Sequence, residues 1–149
     1  MKYEYLLSTV TVIVGISVAV LAYQQYRLAK DKFRLDLFEK RFSVYKGTQA
    51  FLTKIMSKGR VELEDFFEFR AATQDAVFLF EDDIPEFISS LDKKALDVNA
   101  IGDQLQDAPI GEERSRLVEQ RSERLMWLLD QLPRLKDVFG PYLKFMAWK

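Results

Sequence analysis

The sequence predicts an all-α protein: one N-terminal transmembrane helix that continues into a cytoplasmic antiparallel bundle of three to four helices. Three observations support this prediction. No charged residue stands between Glu4 and Arg27. Beyond that stretch, apolar residues recur at helical spacing. No run shows clean period-two alternation between turn residues, as a strand would. The 149 residues therefore divide into a transmembrane anchor, residues 1–26, and a cytoplasmic helical domain, residues 27–149.

The uncharged stretch is long enough to cross a bilayer. Residues 6–22 read LLSTVTVIVGISVAVLA, and roughly 20 helical residues cover a hydrocarbon core about 30 Å thick. In lipid, only a helix satisfies the backbone hydrogen-bonding groups of a single segment. Tyr3 and Tyr5 precede the stretch and Tyr23 and Tyr26 follow it, at the depth where amphipathic rings favour the headgroup zone. We therefore predict a transmembrane helix.

The basic residues after the span predict its orientation. Arg27, Lys30, Lys32 and Arg34 follow it closely, and basic flanks stay on the cytoplasmic side. The N-terminus is then outside and the C-terminal domain is cytoplasmic. These four side chains are also expected to lie at the membrane surface, where each gains about 1 kcal/mol beside anionic headgroups. A cleaved signal peptide, with residues 20–22 as its cleavage site, and a buried helix of a soluble protein are the alternatives.

Small residues mark one face of the span. Thr11, Gly15 and Ala19 recur every four residues, a spacing that lets two helices approach closely. We therefore expect the spans to associate through this face and the protein to be a homo-oligomer. Because small residues are common in membrane spans, a face without any partner is the alternative.

The net charge of −1 results from cancellation along the chain. Residues 1–23 are neutral overall, residues 24–60 carry +7, residues 61–113 carry −12 and residues 114–149 carry +4. Attraction between the acidic middle and its basic flanks favours antiparallel packing, although an exposed pair contributes only about 0–1 kcal/mol. Because the +7 segment adjoins the predicted bilayer, its expected partner is an anionic lipid surface and not a nucleic acid.

The first helix is expected to continue well beyond the span. Apolar residues keep heptad spacing from residue 28 to residue 56, with breaks at Asp31 and Gln49. Gly47 is expected to loosen this helix, and Gly59 suits the left-handed position that ends one. Packing within one chain and a coiled coil between two chains both explain the resulting core or partner face: Leu35, Phe38, Phe42 and Tyr45.

A second helix is predicted over residues 61–80, and its most apolar part is expected to be buried. Residues 76–80 read AVFLF, which is apolar all round, as in a helix covered on several sides. The following residues share one face of this helix: Leu63, Phe67, Gln74 and Val77. Four phenylalanines widen the apolar surface: Phe66, Phe69, Phe78 and Phe80.

Turn and capping signals separate the last helices. Asp83 and Glu86 have capping-box spacing and predict the start of a third helix that runs to about residue 106. The loop 107–111 contains Pro and Gly, and a fourth helix should cover residues 112–132. Pro133 is expected to kink or restart this helix, and Gly140 with Pro141 to set off the last segment, residues 142–149.

The amino-acid composition excludes several common kinds of catalytic site. Without His or Cys, the chain has no Ser–His–acid triad, no thiolate nucleophile and no thiolate zinc site. One acidic cluster resembles a site for Mg²⁺ or Ca²⁺, but it lacks the spacing of an EF-hand, and helix capping explains it equally well. We therefore predict no catalytic residue, no cofactor and no metal. The members of this cluster are Glu81, Asp82, Asp83 and Glu86.

Four arginines on the fourth helix offer a possible phosphate site. The six glycines are scattered singly and form no phosphate-binding loop. Interleaved acids favour instead a soluble surface with side-chain pairs at i,i+4. The arginines are Arg114, Arg116, Arg121 and Arg124.

Residues 33–45, which read FRLDLFEKRFSVY, resemble a recurring type of small single-pass bacterial membrane protein of unassigned function. Its juxtamembrane tract has the form RLDLFEKRFxVY. Residues 77–80, 84–87 and 138–143 resemble the same type. The resemblance implies a bacterial inner-membrane setting and a helical cytoplasmic domain, and it supplies no catalytic residue.

Together these features predict a membrane-anchored, non-catalytic interaction or scaffold protein that self-associates and contacts an unknown protein partner. The alternative is a membrane-perturbing effector whose assembled spans form a pore or depolarise the membrane. Mildly polar span residues such as Ser8, Thr9 and Ser17 would suit such a pore. A nucleotide-binding or metal-dependent enzyme is the third and least favoured interpretation.

Overall fold

The computed structural model describes the backbone of residues 2–144 and, within them, the side chains of residue 3 and residues 11–144. All regular structure in this range is helical, which confirms the predicted class. The helices are α1 (Lys2–Lys58), α2 (Leu63–Thr73), α3 (Ala76–Leu79), α4 (Asp83–Asp107) and α5 (Glu112–Leu143). Of the predicted last segment, residues 145–149 lie outside this range.

The chain groups into two compact units, one up to residue 37 and one from residue 38 onward. The predicted anchor lies within the first unit. There α1 is long and apolar enough to cross a membrane, by length and composition: a window of 18 residues has a mean hydropathy of 1.3, and none of the window is buried. That exposure differs from the core helix of a soluble protein, which is mostly covered.

Helix α1 ends where the sequence predicts. Its last residue is Lys58, and Gly59 follows with φ of 64°, a conformation that glycine adopts without steric cost. The Gly59 amide donates to the carbonyl oxygen of Ile55 at 2.8 Å. This closes the last turn of the helix and turns the chain toward α2.

In the second unit, α2 runs antiparallel to the last part of α1. Phe51 stacks on Phe69 with ring centroids 4.4 Å apart. Closer to the connection between the helices, Lys58 pairs with Asp65. Since residue numbers rise along one helix as they fall along the other, the two form a hairpin, which we call the first hairpin.

Helices α4 and α5 form a second antiparallel hairpin. Near its open end Phe87 meets Phe139 with ring centroids 6.4 Å apart. Near its connection Arg114 donates to the carbonyl oxygen of Leu105 at 2.8 Å. The two hairpins share one hydrophobic core, in which Tyr45 of α1 packs edge-to-face on Phe139 at 5.6 Å. These contacts give the antiparallel arrangement that the charge pattern favours.

The predicted helix over residues 61–80 is divided. Helix α2 ends at Thr73, and the one-turn helix α3 begins at Ala76. In a single turn only one side can face the core, so Ala76 and Phe80 are buried while Val77 and Phe78 are exposed. The prediction that residues 76–80 are covered on several sides is therefore wrong.

Helix α5 continues through Pro133 and Pro141, so the predicted restart at Pro133 is wrong. Proline removes one backbone hydrogen bond and crowds the preceding turn. Here Leu128 and Leu135, on either side of Pro133, are fully buried. Their packing holds both halves of the helix in place and outweighs this local cost.

The predicted capping box at the start of α4 does not form. Asp82 precedes the helix in helical conformation, and no side-chain cap is present. The Asp83 carboxylate instead accepts a hydrogen bond from the Tyr142 hydroxyl at 2.7 Å. A hydrogen bond between residues distant in sequence therefore engages the carboxylate that the local pattern predicted as a helix cap.

Candidate functional site

The predicted span face is open in the single chain. Thr11, Gly15 and Ala19 are all exposed on α1. A β-carbon placed on Gly15 meets no other heavy atom within 4 Å. This region of the helix surface therefore has room for a second helix at close range.

The predicted membrane-surface residues also face outward. Arg27, Lys30 and Lys32 are exposed and Arg34 is half-exposed. Within the described part of the chain, none of the four forms an ion pair. Their charges therefore remain available to an external anionic surface.

The predicted core or partner face divides between two environments. Phe38 and Tyr45 are half-buried, whereas Leu35 and Phe42 are exposed. Phe42 stacks on both Phe38 and Tyr45, with centroids 5.7 and 5.8 Å away. Tyr45 thus serves the core of its own chain, while Leu35 in the first unit and Phe42 in the second are each exposed.

Arg41 joins three helices in a way that the sequence does not indicate. Its Nε donates to the Leu79 carbonyl oxygen at 2.7 Å. Its guanidinium lies 5.5 Å from the centre of the Phe80 ring and 5.4 Å from that of Tyr142, within the range of cation–π attraction. Burial lowers the pKa of Arg41. The hydrogen bond to Asp83 raises the pKa of Tyr142 to about 12, so this phenol stays protonated and structural at neutral pH.

An ion-pair network that was not predicted from the sequence lies near the connection of the first hairpin. The Asp65 side chain, only 6% exposed, lies 2.9 Å from Lys54 Nζ and 2.7 Å from Lys58 Nζ. Hydrogen bonds from Lys58 and then Lys54 lower the pKa of Asp65. Lys54 also contacts Glu68 at 2.5 Å, and Lys58 contacts Glu62. A signal for this burial existed, since Asp65 shares helical spacing with the buried Phe69.

The acidic cluster does not gather as a group of metal ligands, and two of the four arginines contact other parts of the chain. Among the residues that the structure describes, no three His, Cys, Asp or Glu side chains come together as metal ligands. Arg114 is engaged by the carbonyl oxygens of Leu105 and Ala108 at 2.8 and 3.0 Å. Arg124 is 3.7 Å from Asp97, two to three turns further along the hairpin. Arg114 and Arg124 therefore contact different places, Arg114 the end of α4 with the loop after it and Arg124 the middle of α4.

An exposed apolar surface is the feature that sequence reasoning missed. We call it the α2–α3 stripe and define it as Leu63, Phe67, Val77 and Phe78. These side chains are 60%, 61%, 60% and 84% exposed. Beside the stripe, an open groove of about 370 Å³ separates α2 and α3 from α4, where Pro85 and Ile88 line it. The predicted apolar face with Leu63, Phe67 and Val77 is exposed, and Phe66 and Phe69 occupy the core side of α2.

Comparison with known proteins adds no family. No protein-family model matches the chain, and neither curated proteins nor solved structures give a match. The features of the chain that bear on function are an exposed apolar helix, a helical domain with internal ion pairs, and exposed apolar side chains on α1, α2 and α3.

Proposed function

We propose that the protein is a membrane-anchored, non-catalytic interaction or scaffold protein that presents a helical domain at the cytoplasmic face and self-associates. The observation that carries the proposal is α1. This helix contains an exposed apolar stretch long enough to cross a bilayer. A helical second unit follows that stretch in the chain, an order that suits a protein whose role is to hold a domain beside a bilayer.

The charge distribution supports the topology of the proposal. Arg27, Lys30, Lys32 and Arg34 follow the apolar stretch and face outward. Under the positive-inside rule this side is cytoplasmic. Together with the resemblance of residues 33–45 to a bacterial single-pass type, this leads us to propose the bacterial inner membrane, with the N-terminus outside.

The state of the polar groups supports a non-catalytic role. General acid–base catalysis needs a titratable group that is poised near neutral pH and accessible to substrate. Two titratable groups with close charged or polar neighbours are instead held by contacts within the chain. Asp65 forms ion pairs with two lysines, and the Tyr142 hydroxyl donates a hydrogen bond to Asp83. Both are better explained as structural contacts.

Membrane insertion and topology can be tested together. We expect the full chain to remain in the membrane fraction after alkaline carbonate extraction, because about 20 apolar helical residues hold it there. A reporter that is active only in the cytoplasm should work at the C-terminus and not at the N-terminus. Recovery in the soluble fraction, or depolarisation of the membrane on over-expression, would contradict the proposal.

Self-association through the span is tested by Gly15→Leu. Close approach of two helices needs a small residue at the contact, so this change should lower the dimer fraction several-fold. The measurement is energy transfer between two labelled copies in vesicles. Ile13→Leu, on the opposite side of the helix, is the matched control and should leave the dimer fraction unchanged. Equal dimer fractions for both variants would show that this face is not the contact.

A further inference from the structure

Two exposed apolar features of the second unit carry opposite charge. The first is the α3 end of the α2–α3 stripe, which we call the α3 tip and define as Val77 and Phe78. Three exposed acids flank it in the sequence, and none of them forms an ion pair within the part of the chain that the structure describes: Asp75, Glu81 and Asp82. Arg41 offsets part of the charge of Glu81, and Asp75 and Asp82 keep the tip negative.

The second feature is an open groove of about 250 Å³ between α1 and α5, which we call the α1–α5 groove. The charged side chains that line it are both basic, Lys136 and Lys144. Glu39 and Asp137, the acids closest to it in the sequence, do not line it. An apolar group that carries negative charge therefore suits this groove. Its apolar lining is Phe42, Tyr45, Phe139 and Leu143.

The tip and the groove lie at the same level of α1. Leu79, the residue after the tip, accepts a hydrogen bond from Arg41 at 2.7 Å, and Phe42, the next residue of α1, lines the groove. Copies anchored in one bilayer hold equivalent residues at equal depth. The tip of one copy can therefore reach the groove of a neighbour without displacement of either copy along α1.

Neither feature suits a second copy of itself. Two tips would set Asp75 and Asp82 against the same acids, and two grooves would bring Lys136 and Lys144 together. Like charges at such contacts cost energy. A tip in a groove instead joins opposite charges and removes exposed apolar side chains of both copies from water.

We propose that the α3 tip of one copy occupies the α1–α5 groove of a neighbouring copy. Phe78 then packs on the apolar lining, and the acids beside it lie near Lys136 and Lys144. The inference rests on the self-association in the proposed function and adds a contact between second units. Because Val77 faces a different groove, beside α4, the tip and the α1–α5 groove lie on different sides of the unit. Repetition of this heterologous contact gives a row or a ring.

Photo-cross-linking of the full chain tests the contact. In one tagged copy, benzoylphenylalanine replaces Phe78 and keeps an aromatic ring at the tip. This copy is mixed with a differently tagged, unmodified copy in phosphatidylcholine vesicles, since anionic headgroups would compete for the lysines. On illumination we expect a mixed adduct that maps to Phe42, Tyr45 or residues 136–144. Its yield should fall as salt is raised, because added salt screens exposed charges.

Reversal of the charges is the second measurement. Lys136→Glu together with Lys144→Glu in the unmodified copy should lower the adduct yield several-fold, because the groove then repels the acidic tip. Asp75→Lys together with Asp82→Lys in the photo-reactive copy should restore it. The matched control is Lys93→Glu together with Arg116→Glu, two exposed positions outside the groove, which should leave the yield unchanged.

The outcomes separate the inference from the self-association on which it rests. An adduct with another surface of the second copy or with lipid would overturn the inference, and so would an unchanged yield after reversal of the groove charges. An oligomer that forms without the adduct, measured by energy transfer between labelled copies, would overturn it while self-association stands. Copies that stay monomeric in the same vesicles would overturn both.

Discussion

At the scale of single residues, Gly47 sets the distance between α1 and α2. A β-carbon at this position would lie 2.5 Å from the Cβ of Ala72, which is far inside van der Waals contact. The sequence suggested that Gly47 loosens the helix, but α1 passes through it unbroken. Its role is thus to let the backbone of α2 come close, a role visible only once the facing residue is known.

We expect Gly47→Ala to destabilise the second unit by about 1–3 kcal/mol, because the added methyl group forces the helices apart. The measurement is urea unfolding of the full chain in detergent, followed by circular dichroism. In Gly47→Ala with Ala72→Gly, part of the loss should return, since the facing methyl group is gone.

Gly102→Ala is the matched control for this prediction. Gly102 is also within a helix, but a β-carbon there meets only the end of the Arg121 side chain, at 3.9 Å, which is ordinary contact. This variant should gain about 0.4–1 kcal/mol, because alanine restricts the unfolded chain. Similar effects at both positions would show that helix propensity, and not the close approach, decides the outcome at Gly47.

At the scale of helices, the sequence predicts where a helix begins and ends better than it predicts which side of the helix faces the core. Turn residues predict the end of α1 at Gly59 and a loop at residues 107–111, and the observed connection between α4 and α5 is residues 108–111. The inward side of α2 was not predictable in this way, because apolar residues surround that helix. Contacts with α1 determine which side of α2 faces the core. Phe51 packs against Phe66 and Phe69, and Lys54 and Lys58 form ion pairs with Asp65.

The continuity of α5 leads to a prediction at Pro133. An interior proline costs a helix about 3 kcal/mol relative to alanine, and this residue is exposed. We expect Pro133→Ala to stabilise the protein by about 1–3 kcal/mol, measured by urea unfolding. Pro141→Ala, in the last turn, should have a smaller effect. A loss of stability at Pro133 would indicate that a bend there is needed for packing.

At the scale of the whole molecule, segments that carry opposite charge contact each other. The basic end of α1 pairs with the acidic start of α2, as the alternation of charge along the chain suggests. What the sequence does not reveal is which charges remain unpaired. Pairing depends on which helix faces meet. Arg27, Lys30 and Lys32 are exposed without an ion pair in the described part of the chain, whereas Lys54 and Lys58 form ion pairs.

These pairs make stability depend on pH in a definite direction. Hydrogen bonds from lysine lower the pKa values of Asp65 and Glu62 from 3.8 and 4.5. A carboxyl group with a lowered folded pKa stabilises the fold above its unfolded pKa, and this contribution is lost as the pH falls through the folded value. The melting temperature should therefore decrease from about pH 5 downward.

The check is a series of thermal melts of the full chain in detergent between neutral and acidic pH. Asp65→Asn should have a lower melting temperature at neutral pH and a shallower decrease in acid, because it has one fewer carboxylate to protonate. Glu113→Gln, an exposed position without a resolved ion pair, should follow the parent curve. A melting temperature that is constant down to pH 3 would contradict the prediction.

The short connections of the two hairpins have a consequence for how the chain folds. Each connection has four residues, 59–62 and 108–111, so the two helices of each hairpin are neighbours in sequence. Closing such short loops costs little entropy, and local contacts form rapidly. The first hairpin can form once residue 73 has left the ribosome, before α4 has emerged. Synthesis thus proceeds from the anchor outward, and each hairpin can fold in the order in which it emerges.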